Sequence, residues 1–184
     1  MVLMESSKHL KHGDDAPDFT LKSVDEKDYS IKDFKDNKAI LIVFMCNHCP
    51  YVLGKLEELN KTSEDFKDKG LKVIGINSNE SDNYPEDSYE NMKKFVEDDK
   101  VRFLYLHDET QEIAKKYDAT CTPDPFLFDE NQKLIFHSRV GFPPTPNKSE
   151  KHELYEVIKE FLETGKISQE ENPSMGCNIK WKEI

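Results

Sequence analysis

Ala39-Ile40-Leu41-Ile42-Val43-Phe44-Met45-Cys46-Asn47-His48-Cys49-Pro50-Tyr51-Val52 decides the reading of this chain. Its first six residues are an unbroken apolar run, which reads as a buried strand. Beyond Pro50, Val52, Leu56 and Leu59 recur at helical spacing. Proline is favoured at the first helical position, so Pro50 marks a helix start and Cys49 stands at its N-terminus. Unpaired N–H groups and the helix dipole favour an anion there. A thiolate is such an anion, and a cysteine that ordinarily titrates near ~8.5 is expected to be more acidic in this setting. His48 adjoins it: an imidazolium would stabilise the thiolate, and the neutral ring would shuttle its proton.

Outward from this stretch, strands and helices alternate. The helix after Pro50 runs to about Lys69 and stops at Gly70, a residue suited to a C-cap. Residues 71–77 read as a strand, 77–85 as a polar loop, and Tyr89, Met92, Phe95 and Val96 as an amphipathic helix. Residues 103–106 read as another strand. Asp108 with Gln111 has the form of a capping box, opening a helix with Ile113, Ala114 and Tyr117. Cys121-Thr122-Pro123-Asp124-Pro125 is a sharp break; residues 126–128 and 134–137 then read as a strand pair. A Pro-rich loop, 141–148, leads to a last helix carrying Leu154, Val157, Ile158, Phe161 and Leu162, ended by Gly165. Upstream, Phe19 with Leu21, and residues 29–31, read as short strands. The pattern is α/β, a sheet flanked by helices with an antiparallel edge. Residues 1–12 are polar and expected to be loose, 13–165 to form the domain, and 166–184 to form a tail packed on or near it.

The chain has 184 residues, 34% of them charged and 36% hydrophobic, with a net charge of -11. That length suits one domain with a real core. The acidity argues against nucleic acid and anionic membrane surfaces as partners. No stretch reaches the ~18 apolar residues of a membrane span, and residues 1–15 lack the apolar centre of a secretory signal. A cytoplasmic location is therefore the expectation, and there four cysteines point to catalysis or metal binding rather than a disulfide scaffold. No Gly-rich phosphate loop is present, so no organic cofactor is expected.

The element order and three motifs resemble the thioredoxin-like superfamily, over residues 13–165. The motifs are Ala16-Pro17-Asp18-Phe19-Thr20-Leu21, the Cys46–Pro50 stretch, and Thr122-Pro123 before Phe126-Leu127-Phe128-Asp129. The nearest branch is the redoxin branch, which groups alkyl hydroperoxide reductase-like proteins with thiol reductases. The tail around Cys177 is similar to that of small thioredoxin-like proteins sharing the Asn-His-Cys-Pro-Tyr segment. The resemblance implies a thioredoxin-like fold with a central mixed sheet, an N-terminal β extension and a C-terminal tail. It also implies a cis Thr122-Pro123 bond facing the nucleophile, with backbone that pairs with substrate, and it brings Cys121 close to Cys49. Counting from Phe44 in the reductase register reaches Cys49 as nucleophile and puts the family's second cysteine at Val52. In the peroxiredoxin register Cys49 is again the nucleophile, and Cys46 replaces a threonine.

The resemblance implies a thiol–disulfide oxidoreductase in which the Cys49 thiolate attacks a substrate disulfide. Cys46 is the preferred resolving thiol, because the strand-to-helix turn from Cys46 to Cys49 brings their Cα atoms within disulfide reach. Cys177 has three readings: resolving Cys49 from a folded-back tail, pairing between chains, or packing beside Trp181. Arg139 reads as a surface arginine. A peroxidase with Cys49 as the peroxidatic residue is the alternative. A zinc or copper(I) protein using Cys46, His48, Cys49 and Cys121 is the alternative of another class. Partners follow: protein or small disulfides, or peroxides, and a thiol reductant.

Overall fold

Phe44 ends a strand that is buried at every position. The computed structural model describes residues 2–183. In chain order its elements are β1 (Leu3–Glu5), β2 (Thr20–Ser23), β3 (Asp28–Ser30), β4 (Ala39–Phe44), α1 (Pro50–Phe66), β5 (Leu71–Asn77), α2 (Tyr89–Glu97) and β6 (Leu104–His107). They continue with α3 (Glu112–Tyr117), β7 (Cys121–Thr122), β8 (Asp124–Asp129), β9 (Leu134–His137), α4 (Glu153–Thr164) and β10 (Met175–Asn178). The main sheet is mixed, in the order β3-β2-β6-β5-β4-β8-β9. β4 runs parallel to β5 and antiparallel to β8. Its side chains alternate between two cores. Ala39, Leu41 and Val43 join Val52, Leu56, Leu59, Met92 and Val157, from α1, α2 and α4. Ile40, Ile42 and Phe44 join Ile113, Ala114 and Tyr117 of α3. Both faces are buried, which is why the sequence shows an apolar run and not an alternation.

β4 and β5 are adjacent and parallel, so the loops that follow them leave the sheet at the same edge. There the chain turns through residues 45–49 into α1, with Cys49 as the N-cap residue and Pro50 in the first turn. A short 3-10 turn, Lys67–Lys69, and left-handed Gly70 close this helix. The 141–148 loop lies so close to α1 that a Cβ on Gly54 would stand 1.9 Å from the Pro146 carbonyl oxygen. Buried Lys55 donates to the Pro143 and Asn147 carbonyls across the same contact.

Two details differ from the sequence expectations. Residues 3–5, expected to be loose, form β1, which pairs with β10; β10 pairs in turn with β7 as a second, small sheet. β1 is exposed along its length, so it carries no alternation that a sequence reading detects. Gln111 does not complete a capping box. It adopts a left-handed conformation, and its side-chain amide holds the Ser78 and Lys180 carbonyls. Asp108 accepts from the Ile113 and Ala114 N–H groups at the start of α3, and the Thr110 hydroxyl from that of Glu112. In the Pro-rich loop the Phe142–Pro143 bond is cis, as is Thr122–Pro123. Among the described residues no helix is long and apolar enough to cross a membrane.

Asp108 is buried and also accepts from the Ser78 hydroxyl at 2.8 Å. Asp108→Ala leaves these donors without an acceptor. The expected loss is about 2 kcal/mol, measurable as a lower urea midpoint at constant slope.

Candidate active site

The end of β4, the start of α1, the break at Pro123 and the tail converge on the Cys49 sulfur. Cys49 is 0% exposed. Its sulfur lies 2.6 Å from the Cys177 sulfur and 3.4 Å from the Thr122 carbonyl oxygen, to which it donates as a thiol. Burial alone would hold the proton on. The opposite holds here: the acidity is driven down to about 5. Hydrogen bonding from the Cys46 thiol is the largest cause, opposed by burial and reinforced by the Cys177 thiol and by the Val52 and Cys177 backbone N–H groups. The partners shift the other way. Cys46 is raised well above the ordinary thiol range, by burial first and then by Cys49. Cys177 is pushed up to about 12 for the same reasons. One sulfur is therefore an anion and its two neighbours remain thiol donors.

The expected site residues do not all meet this sulfur. Cys46, the expected resolving thiol, does meet it, and its sulfur also lies 3.4 Å from the Thr122 hydroxyl. Cys177 is the cysteine seated against Cys49; Trp181, its expected neighbour, is instead exposed, with the Lys115 ammonium over its ring. Cys121 is buried in β7, and burial followed by Asp124 raises its pKa. Arg139, expected at the surface, is mostly buried, its guanidinium pairing with both Glu153 carboxylate oxygens at 2.6 and 2.9 Å. His48 turns its Nδ1 to Asp87, at 2.7 Å, and its ring stacks on Tyr84.

Asp87 is the residue that sequence reasoning missed. It is fully buried, and its carboxylate accepts from the Asn47 backbone N–H, the Asn79 amide and His48. Tyr105 donates to the Asn47 side chain. Together these bonds fix the 46–49 turn from behind. The hydrogen bond to Asp87 is the main reason the His48 pKa is raised; burial opposes it. A signal did exist. Parallel neighbours β4 and β5 send their following loops to one edge, where sites of α/β sheets form. Among the described residues, Cys46, His48 and Asp87 are the group whose ligand atoms converge, all within 4.8 Å of one another. Each already has a protein hydrogen-bond partner, Thr122, Asp87 and Asn79 among them. That set omits both Cys49 and Cys121, which the zinc or copper(I) alternative included.

The sequence profile of the Redoxin family matches residues 11–158. The chain belongs to the Redoxin family. Among solved structures of similar proteins, an uncharacterized conserved protein from Geobacillus kaustophilus is 39% identical, with 99% of this chain and 97% of that one covered and a TM-score of 0.91. A thiol-disulfide oxidoreductase ResA from Bacillus thuringiensis is 28% identical over 126 residues, 68% of each chain. A Helicobacter pylori protein named as a peroxiredoxin, bcp, is 26% identical over 110 residues, 60% of this chain and 67% of that one. This Redoxin chain thus has the thioredoxin-like α/β fold, a mixed sheet flanked by helices, with the small β1-β10-β7 sheet added.

Two titrations follow. Ultraviolet thiolate absorbance should show one transition near pH 5, absent in Cys49→Ser and moved upward in Cys46→Ala. The folded-state value lies below that of an unfolded cysteine, about 8.5. The ionised sulfur therefore stabilises the fold fully above the unfolded value, and that contribution is gone once pH has fallen through about 5. Asp87→Asn should lower the His48 midpoint read by NMR, because the interaction that raises it is removed.

Proposed function

We propose that this protein is a thiol–disulfide oxidoreductase whose attacking group is the Cys49 thiolate. The observation that carries this reading is the Cys49 sulfur at the N-terminus of α1, seated against an edge that pairs with an extended, cysteine-bearing strand. Cys121–Thr122, just before cis-Pro123, pairs antiparallel with such a strand. A disulfide presented in this register places a sulfur next to Cys49. The thiolate attacks it, and the other substrate sulfur leaves as a thiolate. A second protein thiol then releases the bound half, and an external dithiol returns the protein to its reduced state. The similarity to a protein named thiol-disulfide oxidoreductase agrees with this.

The burial of Cys49 favours a second reading. A peroxide is small enough to reach a covered sulfur, and the similarity to a protein named as a peroxiredoxin points the same way. Cys49 would then become a sulfenic acid and condense with a thiol. Both reactions are followed on one preparation, with a model disulfide and with hydrogen peroxide, and thioredoxin-type reductant in excess. Disulfide turnover should exceed peroxide turnover, and Cys49→Ser should lose at least about a hundredfold of either. Faster peroxide turnover selects the second reading; activity retained in Cys49→Ser removes both.

A further inference from the structure

The edge beside Cys49 is occupied by the protein's own tail. β10 lies antiparallel to β7, with Cys177 opposite Thr122 and Asn178 opposite Cys121. This register delivers the Cys177 sulfur to within 2.6 Å of the Cys49 sulfur. Gly176 permits the close approach, because a Cβ there would stand 1.9 Å from the Thr122 carbonyl oxygen. Beyond β10 the chain is fastened again: Ile179 N–H donates to the Thr120 carbonyl and Lys180 N–H to the Asn79 side chain. That Asn79 also donates to Asp87, so tail and turn share one anchor.

We propose that Cys177 is the resolving cysteine, carried on a strand that holds the cis-proline edge in place of substrate. The inference rests on the reading of Cys49 as the nucleophile. With a substrate R–S–S–R′, the Cys49 thiolate bonds to one sulfur, the S–S bond breaks, and R′S⁻ leaves and is protonated by water. Cys177 next loses its proton to solvent and bonds to the Cys49 sulfur. The bond from Cys49 to the substrate sulfur breaks, and RS⁻ leaves and is protonated. The substrate disulfide has been reduced to two thiols, and two protein thiols have been oxidised to one Cys49–Cys177 disulfide. In the peroxide reading the same thiol condenses with the sulfenic acid and releases water. Substrate and β10 compete for one row of backbone groups, so the return of β10 expels the bound half as it resolves it. The strand is tethered, which makes this step intramolecular and fast. The Cys46 thiol, bonded to Thr122 and to Cys49, holds the thiolate instead.

The test counts leaving groups. Reduced protein is mixed with a modest excess of dithiodipyridine, released pyridinethione is measured, and the intact mass is read. Wild type should release about two equivalents and carry no adduct. Cys177→Ser should release about one and retain a pyridylthio group on Cys49. Cys46→Ala should react more slowly but reach the wild-type end point. A second variant, Gly176→Val, keeps every cysteine but cannot seat β10 against Thr122; it should accumulate the adduct, with resolution slowed roughly tenfold or more. Two equivalents without adduct from Cys177→Ser, or an adduct retained by Cys46→Ala instead, would overturn the assignment of Cys177 and leave Cys49 as nucleophile. Wild type that releases nothing from Cys49 overturns the nucleophile itself, and this inference with it.

Discussion

A sulfur anion shut away from water is stable only where the protein supplies the donors that water would have supplied. That constraint explains most of what is unusual in this molecule. The donors to Cys49 come from both sides of it in the turn and from the distant tail: Cys46 just beyond β4, the Val52 N–H in the first turn of α1, and the thiol and N–H of Cys177. None of them is in place unless the sheet, the helix and the tail all are. The helix N-terminus alone favours a thiolate but does not bury it; the tail does both, covering the sulfur and donating to it.

The turn from Cys46 to Cys49 is held as tightly as the sulfur. Asp87 receives three hydrogen bonds at 2.6 to 2.7 Å, two of them from Asn47 and His48 in the turn itself. A buried carboxylate with that many donors is stable where an unpartnered one would not be. Its bond to His48 favours the protonated form of the ring. Asn79 links this arrangement to Lys180 in the tail.

The sheet and its helices were legible because each rests on local chemistry. The apolar run 39–44, Pro50 in the first turn of α1, and Gly70 and Gly165 in left-handed conformations all obey rules that act within a few residues. The position of Cys49 at a helix start was legible for the same reason. What depends on distant contacts was not. Asp87 meets the turn across 39 residues or more. Cys177 meets Cys49 across 128. Turn geometry favoured Cys46 as the nearer thiol; that Cys177 also reaches Cys49 depends on a folded-back strand, which no local rule announces. β1 and β10 carry three and four residues, too few for a periodic signal, and pair only because each covers the other and the edge of β7.

On the proposed reading the tail is part of the active centre, with the Cys49 sulfur as the chemical agent and β10 as its cover and partner. A peptide map of the fully oxidised, never denatured protein tests this most directly. The predicted map contains a Cys49–Cys177 cross-link, with Cys46 and Cys121 recovered as thiols. A map in which Cys49 is joined to Cys46 or Cys121, or remains a thiol while other cysteines are oxidised, would contradict it.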